Sequence, residues 1–115
     1  MIDRMLVEVA KKDDIANGGL IVVSVDEEEI VLGNYEGSIY AVSRRCKHMF
    51  ASMEAGTLQG YILNCPLHHM QYDIRDGKAL SGPVAKAGAP VVDIDSMNLN
   101  SYKVVVEGRT IKVEQ

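Results

Sequence analysis

Four side chains of this sequence have the chemistry to bind a metal together, and they occur as two short pairs. The first pair is Cys46 and His48, and the second is Cys65 and His68. Within each pair the spacing lets one tight turn direct both side chains to a single point. Two thiolates and two imidazoles make a complete set of four ligands, and the chain contains no other cysteine. The sequence therefore predicts a metal centre.

Two kinds of metal centre are compatible with this donor set. Zinc accepts two cysteines and two histidines, so a structural zinc site is one interpretation. Zinc modules usually combine cysteine with cysteine in one pair and histidine with histidine in the other, whereas both pairs here are mixed. Mixed pairs favour a [2Fe-2S] cluster in which one iron binds both sulfurs and the other binds both nitrogens. Colour distinguishes the two, because only the cluster absorbs visible light.

The two pairs resemble the C-x-H…C-x-x-H signature of Rieske-type ferredoxins. Tyr72 and Gly77 are similar to an aromatic residue and a turn glycine that follow the second pair in that family, and Ser81–Pro83 is similar to its proline loop. The segment 102–113 resembles the family's C-terminal hairpin. The resemblance covers nearly the whole chain. It implies an all-β fold: a Rieske-type antiparallel β-sandwich with a small cluster-binding subdomain of loops and short strands.

The expected organisation is one Rieske-type domain over residues 1–115, because this length supports a single modest core. The base comprises residues 1–43 and 84–115, and the cluster-binding part comprises residues 44–83. Residues 84–100 are several residues longer than the corresponding part of compact Rieske ferredoxins. From β-branched and alternating runs we predict strands at Arg4–Val9, Leu20–Val25, Ile30–Leu32, Ser38–Val42, Tyr61–Leu63 and Val91–Ile94.

The resemblance also implies roles for individual residues. Cys46, His48, Cys65 and His68 would bind one [2Fe-2S] cluster per chain. His69 is a formal alternative to His68, but the family uses the shorter spacing, so His69 is expected on the exposed rim.

Four further residues would tune or shield the cluster. Gly82 and Pro83 belong to the covering loop. Met70 stands where high-potential relatives have a serine hydroxyl that donates to the cluster, and the chain has no spare cysteine for their extra disulfide, so we expect an intermediate-to-low potential. Tyr72 could raise the potential by donating to a cysteine sulfur. Alternatively, Tyr72 packs in the sheet with its hydroxyl in water.

Composition narrows the choice of partner and compartment. The formal net charge of −4 and pI near 5.3 argue against nucleic acid and favour a partner with a basic docking patch. No apolar run is long enough for a membrane span, and the first residues lack the pattern of a secretion signal. Cysteines placed beside histidines argue for metal binding rather than a disulfide. We therefore expect a cytoplasmic protein.

The expected function is electron transfer, not catalysis. The sequence contains no nucleophile–base pair, no phosphate-binding glycine loop and no substrate-positioning set. A monomeric one-electron carrier, passing electrons through transient contacts between a reductase and an oxygenase or other redox enzyme, fits best. One alternative is a cluster-bearing small subunit of a larger reductase, such as a nitrite reductase-type complex, and another is a structural zinc-binding domain.

Overall fold

In the computed structural model, residues 6–25, 27–45, 52–66, 70–81 and 98–114 are described. These ranges contain eleven β-strands and two 3₁₀ turns, at Lys12–Asp14 and Met53–Ala55, and no α-helix. The strands are β1 (Leu6–Lys11), β2 (Leu20–Val25), β3 (Glu28–Tyr35), β4 (Ser38–Ser43), β5 (Thr57–Gln59), β6 (Ile62–Asn64), β7 (Gln71–Asp73), β8 (Ala79–Ser81), β9 (Ser101–Tyr102), β10 (Val104–Glu107) and β11 (Thr110–Glu114).

The strands form three sheets, and every strand pair in them is antiparallel. The terminal sheet has the order β1-β11-β10, the central sheet has the order β2-β3-β4-β9, and the short-strand sheet has the order β5-β6-β7-β8. The predicted all-β antiparallel fold is therefore confirmed.

The central sheet is the middle layer, because both faces of the β3–β4 hairpin are buried. Val31 pairs with Val42, and the next residue pair along the strands is Leu32 with Ala41. Successive side chains of a strand point to opposite faces, so the two pairs enter different cores. The core shared with the short-strand sheet contains Val31, Val42, Met53, Leu58, Leu63, Cys65, Met70, Tyr72, Ile74, Ala79 and Leu99. The core shared with the terminal sheet contains Ile15, Val25, Ile30, Leu32, Ile39, Ala41, Ile111 and Val113.

A buried amide fixes the turn between β3 and β4. Glu36 and Gly37 both have positive φ, 52° and 88°, as in the two-residue turns that match the twist of a hairpin. Asn34 is 7% exposed; its Nδ2 donates to the carbonyl of Ile15 at 2.8 Å, and its Oδ1 accepts from the Gly37 N–H at 2.9 Å. One side chain therefore joins this turn to the loop that follows β1.

Several predicted strands are confirmed, with shifted ends. The strand predicted at Leu20–Val25 is observed as predicted, but its partner β3 begins at Glu28, before the start of the strand predicted at Ile30–Leu32. Glu28 and Glu29 join the strand because they pair with Val25 and Ser24. The first predicted strand lies partly, and the one at 91–94 wholly, outside the described residues. The C-terminal hairpin is confirmed as β10–β11.

Replacing Asn34 with alanine is expected to lower the free energy of unfolding by about 2–3 kcal/mol, because it leaves the buried Ile15 carbonyl without its partner and removes the hydrogen bond that holds the Gly37 N–H in the turn. Urea denaturation followed by circular dichroism measures this. Asn17→Ala is the control: the Asn17 side chain also accepts one backbone hydrogen bond, from Glu36 at 2.9 Å, but at the surface. Its expected cost is below about 1 kcal/mol, and equal losses would contradict the assigned role of Asn34.

Alkaline pH should weaken the contact between β9 and the start of β3. The Tyr102 hydroxyl donates to Glu28 at 2.8 Å, and burial together with this carboxylate raises the pKa of Tyr102 to about 12. Its unfolded pKa is about 10. The stabilisation is therefore complete below pH 10 and is lost as the pH rises from about 10 to about 12. Wild type should melt above Tyr102→Phe at pH 8, and the difference should shrink over that interval; a constant difference would refute this assignment.

Candidate metal centre

The second predicted ligand pair lies in a tight connection between β6 and β7. Asn64 pairs with Gln71 at the ends of these strands, and the Cys65 N–H donates to the Met70 carbonyl at 2.8 Å. The β6–β7 hairpin and this hydrogen bond therefore hold together the two ends of the loop that begins at Cys65. Residues 67–69, with His68 and the alternative ligand His69, lie outside the described residues.

Cys65 is part of the hydrophobic core rather than the surface. It is 7% exposed and clusters with Met70, Tyr72 and Met53, which are at most 1% exposed. Met70 is thus buried in the same cluster as Cys65, and its role in shielding a cluster stays a prediction. Met53 belongs to the same buried cluster. The sequence analysis did not predict its burial, because no local pattern distinguishes this methionine from an exposed one.

The burial of Tyr72 distinguishes the two interpretations of its hydroxyl, which were donation to a cysteine sulfur and exposure to water. Tyr72 is 0% exposed, so the interpretation in which its hydroxyl is solvated is wrong. Across the part of the chain that the structure describes, every buried side-chain nitrogen and oxygen has a hydrogen-bond partner. The hydroxyl is therefore satisfied inside the protein. Donation to a cysteine sulfur stays a prediction.

The first predicted ligand pair lies in a loop whose two ends meet. Cys46 and His48 fall in 46–51, outside the described residues, but both flanks are described. Arg45 and Ser52 form an antiparallel bridge, and the Met53 N–H donates to the Arg44 carbonyl at 2.9 Å. The chain therefore leaves and re-enters this loop at neighbouring backbone positions.

Side chains reinforce this meeting point. The Arg44 Nε donates to both carboxylate oxygens of Glu54, at 2.8 and 3.1 Å, and its Nη1 donates to Glu29. Hydrogen bonding to Glu54 raises the pKa of Arg44, so the guanidinium stays charged. Sequence reasoning did not identify this network, because no local spacing links an arginine to a glutamate on the far side of a loop.

The bases of the two ligand loops are in direct contact. Thr57 pairs with Asn64 across β5 and β6, which places Gly56 beside the residue that precedes Cys65. A Cβ on Gly56 would lie 1.8 Å from the Asn64 carbonyl oxygen. The φ of Gly56 is −86°, so glycine is needed here for space and not for an unusual conformation.

The segment 82–97, which contains the predicted covering loop, is held at both ends. Gly82 and Pro83 belong to 82–97, outside the described residues, but the chain on both sides is fixed. The Ala79 N–H donates to the Asn98 Oδ1 at 2.8 Å, and the Leu99 N–H donates to the Gly77 carbonyl at 2.8 Å. The segment with the predicted covering loop thus starts and ends against the short-strand sheet.

The donor chemistry fits a [2Fe-2S] cluster. Within residues 6–25, 27–45, 52–66, 70–81 and 98–114 no three potential ligands come together, since three of the four predicted ligands lie between these ranges. Two thiols and two imidazoles match a cluster with sulfur donors on one iron and nitrogen donors on the other. Cys65 is buried among apolar side chains, and an apolar environment is one of the factors that tune such a centre.

Known proteins match this chain over most of its length. A family model described as Rieske [2Fe-2S] domain matches residues 5–103. The ferredoxin component of the naphthalene 1,2-dioxygenase system of Pseudomonas putida is 32% identical over 108 residues, 94% of this chain and 93% of the relative. The ferredoxin component of naphthalene 1,2-dioxygenase/salicylate 5-hydroxylase systems of a Ralstonia species is 41% identical over 80 residues, 70% of this chain and 77% of the relative.

A solved structure has the same fold. The ferredoxin of carbazole 1,9a-dioxygenase from Nocardioides aromaticivorans IC177 superposes with a TM-score of 0.80 at 28% identity, covering 95% of this chain and 96% of that one. No helix in the described ranges has the length and apolar character to span a bilayer.

Adding a methyl group at Gly56 should force the two loop bases apart. We expect Gly56→Ala to lower the free energy of unfolding by about 2–3 kcal/mol, because the new Cβ collides with backbone that cannot rotate away. Thermal and urea unfolding measure this. Gly60→Ala is the control: Gly60 has φ 61° and no atom within 4 Å of its added Cβ, so only backbone strain of about 1 kcal/mol is expected. Equal costs would contradict the close contact at Gly56.

Proposed function

This chain belongs to the Rieske [2Fe-2S] domain family, and on that premise we propose that it is a ferredoxin, a one-electron carrier that supplies an aromatic-ring dioxygenase. The observation that carries the proposal is the nearly end-to-end similarity to ferredoxin components of such systems, 94% of this chain against 93% of the relative. A carrier needs one redox centre and a surface for contact rather than a substrate pocket. The chain is accordingly a component of a multicomponent oxidoreductase and not itself the enzyme.

Cys46 and Cys65 would bind one iron, and His48 and His68 the other, giving one cluster per chain. The supports are the donor chemistry, the burial of Cys65 and the contact between the two loop bases. When bound, the cluster takes up and releases a single electron. As ligands, His48 and His68 would give the electron a short path to a docked partner.

The surrounding residues control water and hydrogen bonding. Met70 and Met53, buried in the same cluster as Cys65, would shield the side of the centre next to Cys65, and Gly82 and Pro83 would cover another side. Met70 has no hydroxyl to stabilise the reduced state, which supports an intermediate-to-low potential. Tyr72 would act in the opposite direction if its buried hydroxyl donates to a cysteine sulfur.

The expected partners are a reductase that donates electrons and an oxygenase that accepts them. The net charge of −4 favours basic docking patches on both, and contacts of this class bury less than about 1,200 Å². The carrier would work as a monomer in the cytoplasm. Residues 1–43 and 84–115 would be the stable base, and residues 44–83 the cluster-binding part that meets the partners.

Electron paramagnetic resonance of the dithionite-reduced, iron- and sulfide-reconstituted protein tests the proposal. Mixed nitrogen and sulfur ligation should lower the average g-value below that of an all-thiolate cluster. His48→Cys and His68→Cys should each abolish this signature, because both imidazoles bind one iron, whereas the control His69→Ala should retain it. A colourless product after reconstitution would refute the assignment, and a loss of signal in His69→Ala would move the ligand to the neighbouring histidine.

A further inference from the structure

We infer that Arg44 is a positioning residue for the first ligand pair, and that its ion pairs with Glu54 and Glu29 determine how long the protein retains its cluster. We call these three residues the Arg44 network. The inference rests on the proposed function, because it concerns ligands in the loop 46–51. Arg44 itself is not a ligand; it acts by holding together the two ends of that loop.

The Arg44 network spans the loop from one side to the other. Arg44 precedes the loop, and Glu54 follows it in the 3₁₀ turn Met53–Ala55. Their contact is fork-like, with Nε within 2.8 and 3.1 Å of the two carboxylate oxygens. A charge-assisted contact of this geometry is stronger and more directional than a hydrogen bond between neutral groups. It therefore closes a ring around the loop.

Glu29 connects this ring to the central sheet. Its carboxylate accepts from Arg44 Nη1, and its backbone carbonyl accepts from the Arg44 N–H at 3.2 Å. Glu29 lies within β3, the strand buried on both faces. Arg44 is thus tied to the central sheet through both the backbone and the side chain of Glu29, and it links that sheet to Glu54.

Without the Arg44 network, few described contacts would hold the loop ends. They include the bridge between Arg45 and Ser52, the hydrogen bond from Arg45 Nη1 to Ser52 Oγ at 3.3 Å, and the hydrogen bond from the Met53 N–H to the Arg44 carbonyl. A single bridge lacks neighbouring rungs, so it opens more readily than a ladder. The Arg44 and Glu54 side chains are only 24% and 20% exposed, which reduces screening by water and salt.

Opening of the loop ends matters because two of the four predicted ligands lie between them. Loss of a cluster requires a ligand to leave its iron, and a ligand on a loop with separated ends returns less often. The free energy for local opening, rather than for global unfolding, should therefore set the rate of loss. Weakening the Arg44 network should shorten the cluster's lifetime while leaving its ligands unchanged.

The test is the decay of visible absorption of the reconstituted protein in excess iron chelator. Arg44→Met should lose its colour about three- to tenfold faster than wild type, as expected for removing one well-oriented charged contact. Glu54→Gln should behave similarly, and the double variant should add little, since both changes remove the same contact. Arg44→Lys should be intermediate, because lysine keeps the charge but not the fork.

Arg109→Met is the matched control. It removes the same charge from an ion pair with Asp13 whose side chains are 77% and 66% exposed, in the loop that joins β10 to β11. Its decay should equal that of wild type. If Arg44→Met decays no faster than Arg109→Met, or if Arg44→Met and Glu54→Gln add fully, the inference is overturned.

Two further measurements distinguish positioning from general destabilisation. The electron paramagnetic resonance spectrum of freshly reduced Arg44→Met should match that of wild type. The free energy of global unfolding of Arg44→Met should be close to that of Arg109→Met. Faster decay that is fully explained by lower global stability overturns the inference. If Arg44→Met cannot be purified with its cluster, Glu54→Gln and Arg44→Lys are compared with Arg109→Met by the same three measurements: the rate of colour loss, the spectrum and the global stability. A wild type that takes up no cluster refutes the proposed function instead.

Discussion

The burial of both faces of the β3–β4 hairpin is the constraint on which the rest of the structure depends. Val31 and Val42 pack toward the short-strand sheet, while Leu32 and Ala41 pack toward the terminal sheet. A slip of one residue would exchange the two sets of side chains between the cores, so the register is strongly determined. The first ligand loop follows β4 after Arg44 and Arg45, so it begins close to this layer that is buried on both faces.

The short-strand sheet depends on this layer for its stability. Its strands have three residues each, too few to be stable without packing against another layer. Cys65 belongs to that packing, since it lies in the same core as Val31 and Val42. A side chain proposed to bind iron is thus also part of the fold. A centre bound through this side chain would have apolar surroundings on that side, which an exposed loop alone would not provide.

Sequence patterns predicted the longer elements and the chemistry of the centre, but not the contacts that assemble it. Leu20–Val25 was evident because a β-branched run is a local signal, whereas the C-terminal hairpin was expected from the family resemblance. The three-residue strands are too short to show a period. The closeness of Gly56 to Asn64, and of Arg44 to Glu54, depends on where the chain returns after a loop, which no local spacing reveals.

The junction at Gly77 has a consequence for how such proteins can diversify. Gly77 has φ 79°, and an added Cβ would lie 2.3 Å from the Leu99 carbonyl oxygen; beyond it, the Asn100 carbonyl accepts from the Ser43 N–H at 2.9 Å. The chain is thus anchored on both sides of residues 82–97. Because the entropy of loop closure grows only logarithmically with length, changes of length between these anchors should cost little stability. Evolution could then lengthen or shorten this stretch without displacing Cys65.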